Sequence, residues 1–539
     1  MKRKIQAVAT QQPTQRPDMP KKDLPPGLTN TVWKTQEQSP KYPKLQENVT
    51  ADVAIVGAGI YGLSIAYNLV RAGKSVVILE SRTRGGGQTG RTTAHLMAWN
   101  DDMYHTLEEK FGTDKTKLVA ESHRKSIDWV EEVVKREQID CKFERMDGFL
   151  FPHSEERATY ETLDEELGAA IRAGLTDTEK VDLGGGPDVG GIRSAVKFAG
   201  SADFQPMQYV NGLAEAVTKM GGRIYENSRV MKTSGSEVTT ADGYTITAKN
   251  IVLATNVPIH HNMAVHTRQH PTRSYVVCMK IPKDKFRRAQ YWSTASPYHY
   301  VRLEPSEEGD QLVVGGGDHQ TGQEPEKYED TFSALEQWAR KRWPDAGEVT
   351  YKWSGQVMEP VDLLGLYGQD PANDLQTGAT YYIATGDSGQ GMTGSAIAGM
   401  IISDQILGNK NPWSDIYSPS RAPAADTDTV QEFGSIAATT SKAFVKHIIP
   451  KGLFSSPRDL PPDSGAVMQH GAQKIAAYRD EGGKVHACAA ACPHLGCLVE
   501  WNPNEKTFDC PCHGSHFDKF GRCIQGPAKA DLSPVDYEW

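Results

Sequence analysis

The pattern of apolar and polar positions divides the chain into a large α/β part and a small β part. An apolar run at 52–56 leads through glycines into a helical pattern, and a second apolar run follows at 75–79, which predicts strand, turn, helix and strand. Apolar residues recur at helical spacing over 101–137. Alternation over 465–500, with a turn at Asp480-Glu-Gly-Gly, predicts small antiparallel strands.

Two tracts poor in apolar residues flank these parts. Residues 1–48 are rich in Pro, Gln, Lys and Thr and predict an extended or disordered tail. Residues 409–455 mix Pro, Asp and Ser and predict a linker with a short helix at 441–449. We therefore expect one large unit, 49–408, and one small unit, 456–539.

Composition and charge narrow the class of protein. A length of 539 residues predicts about two or three domains, and 38% hydrophobic with 24% charged residues is typical of globular proteins. A net charge of −9 argues against nucleic acid as a partner. No apolar run reaches the roughly 18 residues that a membrane span needs, and the N-terminus does not resemble a secretory signal. These features predict a cytoplasmic protein without a membrane span.

Cysteine is scarce and clustered. Six of the eight cysteines follow residue 487, so the large unit has no disulfide framework. Cys141, Cys278, Cys488 and Cys523 are interpreted as free thiols.

The first strand and helix carry a dinucleotide-binding motif. Gly57-x-Gly59-x-x-Gly62 joins them, and glycines at these positions let the backbone approach a pyrophosphate at the helix N-terminus. Glu80 ends the second strand, where it could accept hydrogen bonds from ribose hydroxyls. The motif predicts an adenine dinucleotide, and on its own it leaves FAD and NAD open.

Three further segments resemble the glycine/D-amino-acid oxidase family of FAD-dependent oxidoreductases. The loop 85–95 resembles the family's flavin-wrapping loop, and 381–394 resembles its glycine turn and helix at the flavin O2/N1 edge. The strand 251–256 resembles the second flavoprotein signature, although Asn256 stands where glycine is commoner. The resemblance implies FAD bound by Gly57, Gly59, Ile60, Tyr61, Gly62, Glu80, Ser81, Gly87, Thr89, Arg91, Thr92, Thr93, Ala94, His95, Val230, Ala254, Thr255, Gly386, Asp387, Gly389, Gln390, Gly391, Met392 and Thr393.

The same resemblance implies how the large unit is divided. An α/β FAD-binding domain of the glutathione-reductase-like Rossmann type is expected from residues 49–140, 201–257 and 356–408. A mixed-sheet α+β substrate domain is expected from residues 141–200 and 258–355.

The small unit carries two boxes of metal-binding residues. CPHLGC begins at Cys492 and CPCHGSH begins at Cys510, which offers four cysteines and three histidines in two short loops. Iron–sulfur clusters accept thiolate and imidazole ligands, and zinc would accept two of each. The residues alone therefore leave an iron–sulfur cluster, a zinc site and a redox-sensing thiol cluster open.

The double box resembles the Rieske proteins of the high-potential type, and implies an all-β Rieske domain. The resemblance implies a [2Fe–2S] cluster bound by Cys492, His494, Cys510 and His513, and a disulfide between Cys497 and Cys512. It also implies a hydrogen bond from Ser515 to a cluster sulfur and a covering loop at Gly526-Pro527, while Pro493 replaces the usual Thr. Phe517 replaces a Tyr whose hydroxyl binds a cysteine sulfur, so we expect a potential within the Rieske range of about −150 to +300 mV but below its upper end.

The catalytic residues are not identified by any motif, and three candidates remain. Tyr300 and Arg302 are two positions apart on a predicted strand, so they share a face. Arg302 could bind a substrate carboxylate, and the alternative is a surface arginine at a sheet edge. His95 is a candidate flavin contact or covalent attachment point. The histidines 260, 261, 266 and 270 are interpreted as a polar loop because no carboxylate or cysteine stands at ligand spacing.

Together the two resemblances imply an enzyme. The expected reaction is FAD-dependent oxidation of a small substrate at the C–N bond of an amine or amino acid. Electrons would then pass singly through the Rieske cluster to an external acceptor, which could be a protein, a quinone or oxygen. The alternatives are an NAD(P)H-fed flavin/Rieske electron-transfer reductase and a non-enzymatic redox sensor. A homo-oligomer is left open.

Overall fold

The computed structural model describes residues 29–33, 41–260, 263–307, 309–323, 330–373, 378–445, 456–471 and 473–535. In chain order its strands are β1 Val49–Val56, β2 Val76–Leu79, β3 His95–Leu96, β4 Glu144–Phe151, β5 Glu179–Asp182, β6 Ser194–Asp203, β7 Arg223–Tyr225, β8 Val230–Ser234, β9 Glu237–Thr240, β10 Thr245–Leu253, β11 Gln269–Ile281, β12 Gln290–Ser293, β13 Tyr300–Glu304, β14 Asp310–Gln320, β15 Val349–Pro360, β16 Leu366–Gln369, β17 Thr380–Thr385, β18 Ser464–His470, β19 Gln473–Arg479, β20 Val485–Ala489, β21 Glu500–Asn502, β22 Thr507–Asp509, β23 His516–Asp518 and β24 Cys523–Gln525. Its helices are α1 Ile60–Arg71, α2 Tyr104–Phe111, α3 Thr113–Glu137, α4 Arg157–Arg172, α5 Pro206–Lys219, α6 Met263–His266, α7 Thr331–Arg342, α8 Gly391–Leu407 and α9 Thr427–Val445.

The first sheet is mostly parallel and holds the dinucleotide motif. Its order is β16-β17-β10-β1-β2-β7, with β8 and β9 attached beside β10. β1 pairs in parallel with both β2 and β10, and β10 with β17, so the carboxyl ends of these strands lie at one edge. The turn after β1 and the turn after β17 therefore lie side by side, although 324 residues separate Thr385 from Tyr61.

The second sheet is mixed and faces the first. Its order is β15-β11-β14-β13-β12-β4-β6-β3, with β5 beside β6. Successive residues of β11 point to opposite faces: Tyr275 and Val277 pack into a core with α7, while Ser274 and Val276 line the cavity between the two sheets. The sheet thus has one face for packing and one for a ligand.

The C-terminal domain contains two small antiparallel sheets, β18-β19-β20 and β21-β22-β23-β24. Trp501 and Phe508 form part of its interior and pack with ring centroids 4.9 Å apart. The predicted fold class is confirmed: an α/β dinucleotide-binding fold with a mixed-sheet domain, followed by an all-β domain.

Where the structure describes it, the predicted tail has no helix or strand before Val49, and the predicted linker contains a longer helix than expected. Trp33 and Leu45 are buried, and the Trp33 indole donates to Thr92 O at 2.8 Å, so this part of the tail packs against the large unit. In the linker the helix is α9, which starts earlier than the predicted 441–449 because Asp426 caps it by accepting from Thr429 N at 3.0 Å. Residues 1–28 and 446–455 lie outside the described residues.

None of the described helices is long and apolar enough to cross a membrane.

Candidate functional site

A cavity of about 480 Å³ lies between the two large sheets, and Ile524–Gly526, Ala528 and Lys529 of the C-terminal domain also line it. The residues predicted to bind FAD that line the cavity are Gly57, Gly59, Ile60, Tyr61, Glu80, Ser81, Gly87, Thr89, Arg91, Thr92, Thr93, His95, Val230, Ala254, Thr255, Gly386, Asp387, Gly389, Gly391 and Met392.

Four predicted residues lie behind the cavity wall. A Cβ on Gly62 would stand 2.0 Å from Gly57 O, so Gly62 permits close packing of turn and helix. Thr393 accepts from Met97 N at 3.1 Å, and the Ala94 carbonyl accepts from Arg302 at 3.0 Å. Gln390 is the N-cap residue of α8. These residues shape the wall without lining the cavity.

The glycine turn has the geometry that a bound dinucleotide requires. Gly57 has φ +107°, and a Cβ there would stand 2.3 Å from Ala254 O, so only glycine fits. Glu80 is fixed beside the turn because its carboxylate accepts from Ala58 N at 3.0 Å. Arg82, Arg229 and Lys529 line this dinucleotide end of the cavity with positive charge.

The opposite end, formed by the second sheet, the loop after β3 and the turn after β17, carries carboxyl groups, of which Asp387 was predicted from the sequence to lie at the site and the others were not. Asp101 accepts from the Tyr298 hydroxyl at 2.9 Å. The Ser388 hydroxyl lies 2.8 Å from carboxylate oxygens of both Asp102 and Glu359. Asp318 and Asp387 also line this sheet end. No local signal could have revealed the group because its members come from four distant segments.

These carboxyl groups are held in a setting that opposes ionisation. Burial, together with the smaller effect of neighbouring carboxylates, raises the pKa of Asp101 to about 7 and that of Glu359 to about 8. Burial also raises the pKa of Asp318 and of Asp387 to about 6. The sheet end therefore concentrates carboxyl groups that ionise only partly near neutral pH, and no lysine or arginine stands beside them among the described residues of its wall.

Arg302 does not have the role that the sequence suggested. Its side chain is buried, its Nη2 donates to Glu304 at 2.6 Å, and its Nη1 donates to the Ala94 carbonyl at 3.0 Å. The guanidinium also lies over the Trp33 ring. It therefore fixes the flavin-wrapping loop and does not line the cavity, whereas Tyr300, two residues away, does.

His95 lines the cavity in a neutral form. Burial and the Arg302 charge lower the pKa of His95 to about 3. Its Nδ1 lies 3.1 Å from the Thr93 hydroxyl, and its Nε2 is buried without a hydrogen-bond partner among the described residues. The ring packs edge-on against Tyr300, with centroids 5.9 Å apart.

In the C-terminal domain the two Cys/His boxes meet. The His494 and His513 ring centroids are 5.0 Å apart, and Cys492 and Cys510 are buried beside each other. His513 Nδ1 is buried without a hydrogen-bond partner within the described part of the chain. Two thiols and two imidazoles thus converge, as a Rieske cluster requires.

The remaining two cysteines of the boxes are joined to each other. Cys497 and Cys512 form a disulfide with Cα atoms 6.6 Å apart. Their sulfurs and that of Cys510 lie within 4.8 Å of one another, but the disulfide occupies two of the three. Ser515 accepts from Ala528 N at 3.0 Å and thereby holds the loop that follows Gly526-Pro527.

Comparison with known proteins decides the family. A model of FAD dependent oxidoreductases (DAO) matches residues 52–405. The chain belongs to the DAO family. A model of the Rieske [2Fe-2S] domain matches residues 453–536 of this DAO protein.

Three relatives of this DAO protein extend the comparison. YhfW of Bacillus subtilis (strain 168), whose name describes a Rieske 2Fe-2S iron-sulfur protein, is 31% identical over 516 residues, which are 94% of this chain and 98% of YhfW. Gamma-glutamylputrescine oxidoreductase of Escherichia coli (strain K12) is 26% identical over 390 residues, 68% of this chain and 86% of its own. The structure of glycine oxidase from Geobacillus kaustophilus has a TM-score of 0.57 at 19% identity, covering 70% of this chain and 100% of its own, and so shares the fold.

The predicted family, the oxidoreductase class and the cofactors FAD and [2Fe–2S] are confirmed by these matches. The site of this DAO protein fits both groups. Gly57 leaves space that a Cβ would fill, and basic residues line the dinucleotide end. The converging thiols and imidazoles fit the cluster.

The imidazoles of the Rieske domain face the DAO domain of the same chain. The His266 ring lies 5.2 Å from that of His494 and 5.0 Å from that of His513. A Cβ on Gly514 would stand 2.5 Å from the Gln356 side chain. The sequence analysis interpreted His266 as part of a polar loop and missed this contact, because His261 to His270 carry no pattern that indicates a domain interface. His261 lies outside the described residues.

Proposed function

We propose that this protein oxidises the C–N bond of an amine at FAD and passes the electrons singly through its own Rieske cluster to an external one-electron acceptor. One C–H and one N–H bond of the substrate break as the C=N bond forms, and two protons are released. The two electrons leave one at a time because FAD accepts a pair and the cluster carries one. The family relationship to gamma-glutamylputrescine oxidoreductase supports the amine class.

The proposed electron route rests on one observation: residues of both domains line the same cavity. Ile524 and Gln525 stand in its wall together with flavin-loop residues, and the Gln525 side chain accepts a hydrogen bond from Gln88 of that loop. On the cluster side, Gly514 packs against Gln356, and the next residue, Val357, lines the cavity. The cluster loop and the flavin cavity are therefore separated by a single strand of the protein.

In this proposal the FAD residues named above bind the flavin, and Cys492, His494, Cys510 and His513 bind the cluster. The Cys497–Cys512 disulfide joins the two cluster loops. Of the predicted catalytic candidates, Tyr300 and His95 line the cavity. Arg302 acts only by positioning the flavin loop.

The test is to remove the cluster and retain the flavin. In Cys492→Ser we expect amines to bleach the flavin anaerobically as in the wild type, while electron delivery to a one-electron acceptor falls at least tenfold. Electron paramagnetic resonance of the wild type should show a reduced Rieske cluster after amine is added. Cys141→Ser, a buried thiol in the DAO domain, is the control and should retain both activities.

Two results would contradict the proposal. The first is bleaching by NADH with no response to any primary or secondary amine, which would favour the NAD(P)H-fed reductase. The second is a wild-type cluster that stays oxidised while the flavin is reduced by amine.

A further inference from the structure

The cavity has opposite charges at its two ends. Arg82, Arg229 and Lys529 line the dinucleotide end, where the pyrophosphate of FAD is expected. None of the described cavity-lining residues contributed by the second sheet is a lysine or an arginine. That end instead presents carboxyl groups, including Asp318 and Glu359. A substrate carboxylate would meet repulsion there, whereas an ammonium group would be attracted.

Within the described part of the chain, Asp101, Asp102, Asp318 and Glu359 of the sheet end form no ion pair with a lysine or an arginine. Lys110 is the positive side chain that acts on Asp102, but it forms an ion pair with Asp426 at 2.7 Å. Arg302 is paired with Glu304 at 2.6 Å and lies outside the cavity wall. Mutual repulsion and burial accordingly raise the pKa of these carboxyl groups. A cationic ligand would relieve this repulsion.

The arrangement does not suit a metal ion. Among the described residues, Cys497, Cys510 and Cys512 form the group of possible ligands whose atoms lie within 4.8 Å of one another, and the cavity carboxylates form no such group. They are spread along the wall, which suits an extended organic cation with separated charges rather than a single ion.

Aromatic rings complete the same end of the cavity. Trp292 is fully buried, its Nε1 has no hydrogen-bond partner in the described part of the chain, and it lines the cavity with Tyr300. A Cβ on Gly148 would stand 2.1 Å from the Trp292 ring, and one on Gly315 would stand 1.9 Å from the Tyr300 ring. Two glycines thus make room for rings whose faces attract ammonium groups.

We propose that the substrate is an amine that carries a second ammonium group, of the diamine or polyamine class, and that the sheet end selects it over amino acids. This inference rests on the proposed function and adds the charge of the substrate. The carboxyl groups of Asp101, Asp102, Asp318 and Glu359 bind the ammonium groups, and Trp292 and Tyr300 pack against the carbon chain.

Three probes with the same four-carbon chain test the inference: 1,4-diaminobutane, butylamine and 4-aminobutanoate. They differ in whether the far end is positive, neutral or negative. Binding to the FAD-loaded protein is measured anaerobically by calorimetry, and oxidation is measured separately by flavin bleaching. We expect the diamine to bind at least tenfold more tightly than butylamine, and 4-aminobutanoate to bind most weakly.

Single substitutions test which carboxyl groups of the cavity bind the diamine. Glu359→Gln and Asp318→Asn should each weaken diamine binding about tenfold and change butylamine binding much less. Glu348→Gln, which removes an exposed carboxylate paired with Lys280, is the matched control and should bind all three probes as the wild type does.

The outcomes separate the two proposals. Binding of 4-aminobutanoate as tightly as the diamine would overturn the inference, even if amines bleach the flavin. Selective diamine binding without bleaching by any amine would support the cation site and contradict the proposed oxidation. Equal binding of diamine and butylamine would also overturn the inference, because the far charge would then have no partner in the wall.

Discussion

Replacing Arg273 with methionine should loosen the Rieske domain from the DAO domain. Arg273 lies on β11 of the second sheet, and its Nη2 donates to Asp509 of the Rieske domain at 2.7 Å. Both side chains are almost fully buried, at 2% and 1% exposed. The pair therefore crosses the interface in a region from which water is excluded.

The size of the expected destabilisation follows from the charge that the substitution leaves buried. Removing one partner of a buried ion pair costs about 3–5 kcal/mol because the other charge stays buried and uncompensated. Asp509 retains other partners, since His516 Nδ1 lies 2.7 Å from its carboxylate and Asn502 Nδ2 donates to it at 3.3 Å. We therefore expect a loss near the lower limit, about 3 kcal/mol, which corresponds to roughly a hundredfold change in the equilibrium between docked and undocked domains.

The assay is urea unfolding of the holoprotein followed by two probes. Visible circular dichroism follows the cluster, and flavin fluorescence follows release of FAD. We expect the two transitions of Arg273→Met to separate, with the cluster signal lost first. In the double variant R273M/D509L the pair is replaced by apolar side chains, and stability should return to within about 1 kcal/mol of the wild type.

The control is an ion pair of the same chemistry at the surface. Lys44 and Asp242 are 2.8 Å apart with 43% and 40% of their side chains exposed, so Lys44→Met should cost less than about 1 kcal/mol. If Arg273→Met costs no more than Lys44→Met, or if the double variant is as unstable as the single one, the interface is not held by this pair and the reasoning is refuted.

Two further predictions concern the cavity. Gly57→Ala should purify with little FAD because its Cβ would stand 2.3 Å from Ala254 O. Gly73 is also at positive φ, but a Cβ there would have no atom within 4 Å, so Gly73→Ala should retain FAD and lose about 1 kcal/mol of stability. The ratio of flavin to protein absorbance measures the FAD content of both variants. Diamine affinity should rise from pH 6 to pH 8, because Asp101 and Glu359, whose pKa values are raised to about 7 and about 8, bind a cation only when ionised. The ammonium groups stay charged over this range, at a reference pKa of about 10.4, so a flat pH profile by calorimetry would show that these carboxyl groups do not contact the ligand.

The sequence predicted those parts of the site in which a short segment by itself constrains the residue types. Gly57 needs glycine because its φ is +107°, and a Cβ on Gly62 would strike Gly57 O, so both of these constraints lie within a turn of a few residues. The two Cys/His boxes place possible ligand atoms within a few residues of each other, so the segments themselves limited the alternatives to an iron–sulfur cluster, a zinc site or a thiol cluster, and the resemblance to Rieske proteins indicated the first. In both cases the constraint on the residue type is contained in the segment itself.

The parts that could not be predicted depend on contacts between distant segments. Asp101, Asp318 and Glu359 are unremarkable in their own segments and become a group only when two sheets face each other. The helix predicted at 441–449 begins much earlier, as α9, because its cap Asp426 stands in a stretch whose Pro and Ser content indicates a linker. His266 gained its position from the docking of a domain that follows it by more than 180 residues.

Arg302 shows most clearly how a correct local inference led to a wrong role. Strand periodicity placed it two positions from Tyr300, and an arginine beside a flavin would favour substrates that carry a carboxylate. Glu304, a further two positions along the same strand, binds its guanidinium at 2.6 Å, and the carbonyls of the flavin loop bind the rest. Because its hydrogen-bonding groups are occupied in this way, Arg302 does not line the cavity, whereas carboxyl groups do. The partners of Arg302 therefore remove the candidate carboxylate-binding residue from the cavity, and the proposed preference for a cationic amine rests on the carboxyl groups that line it.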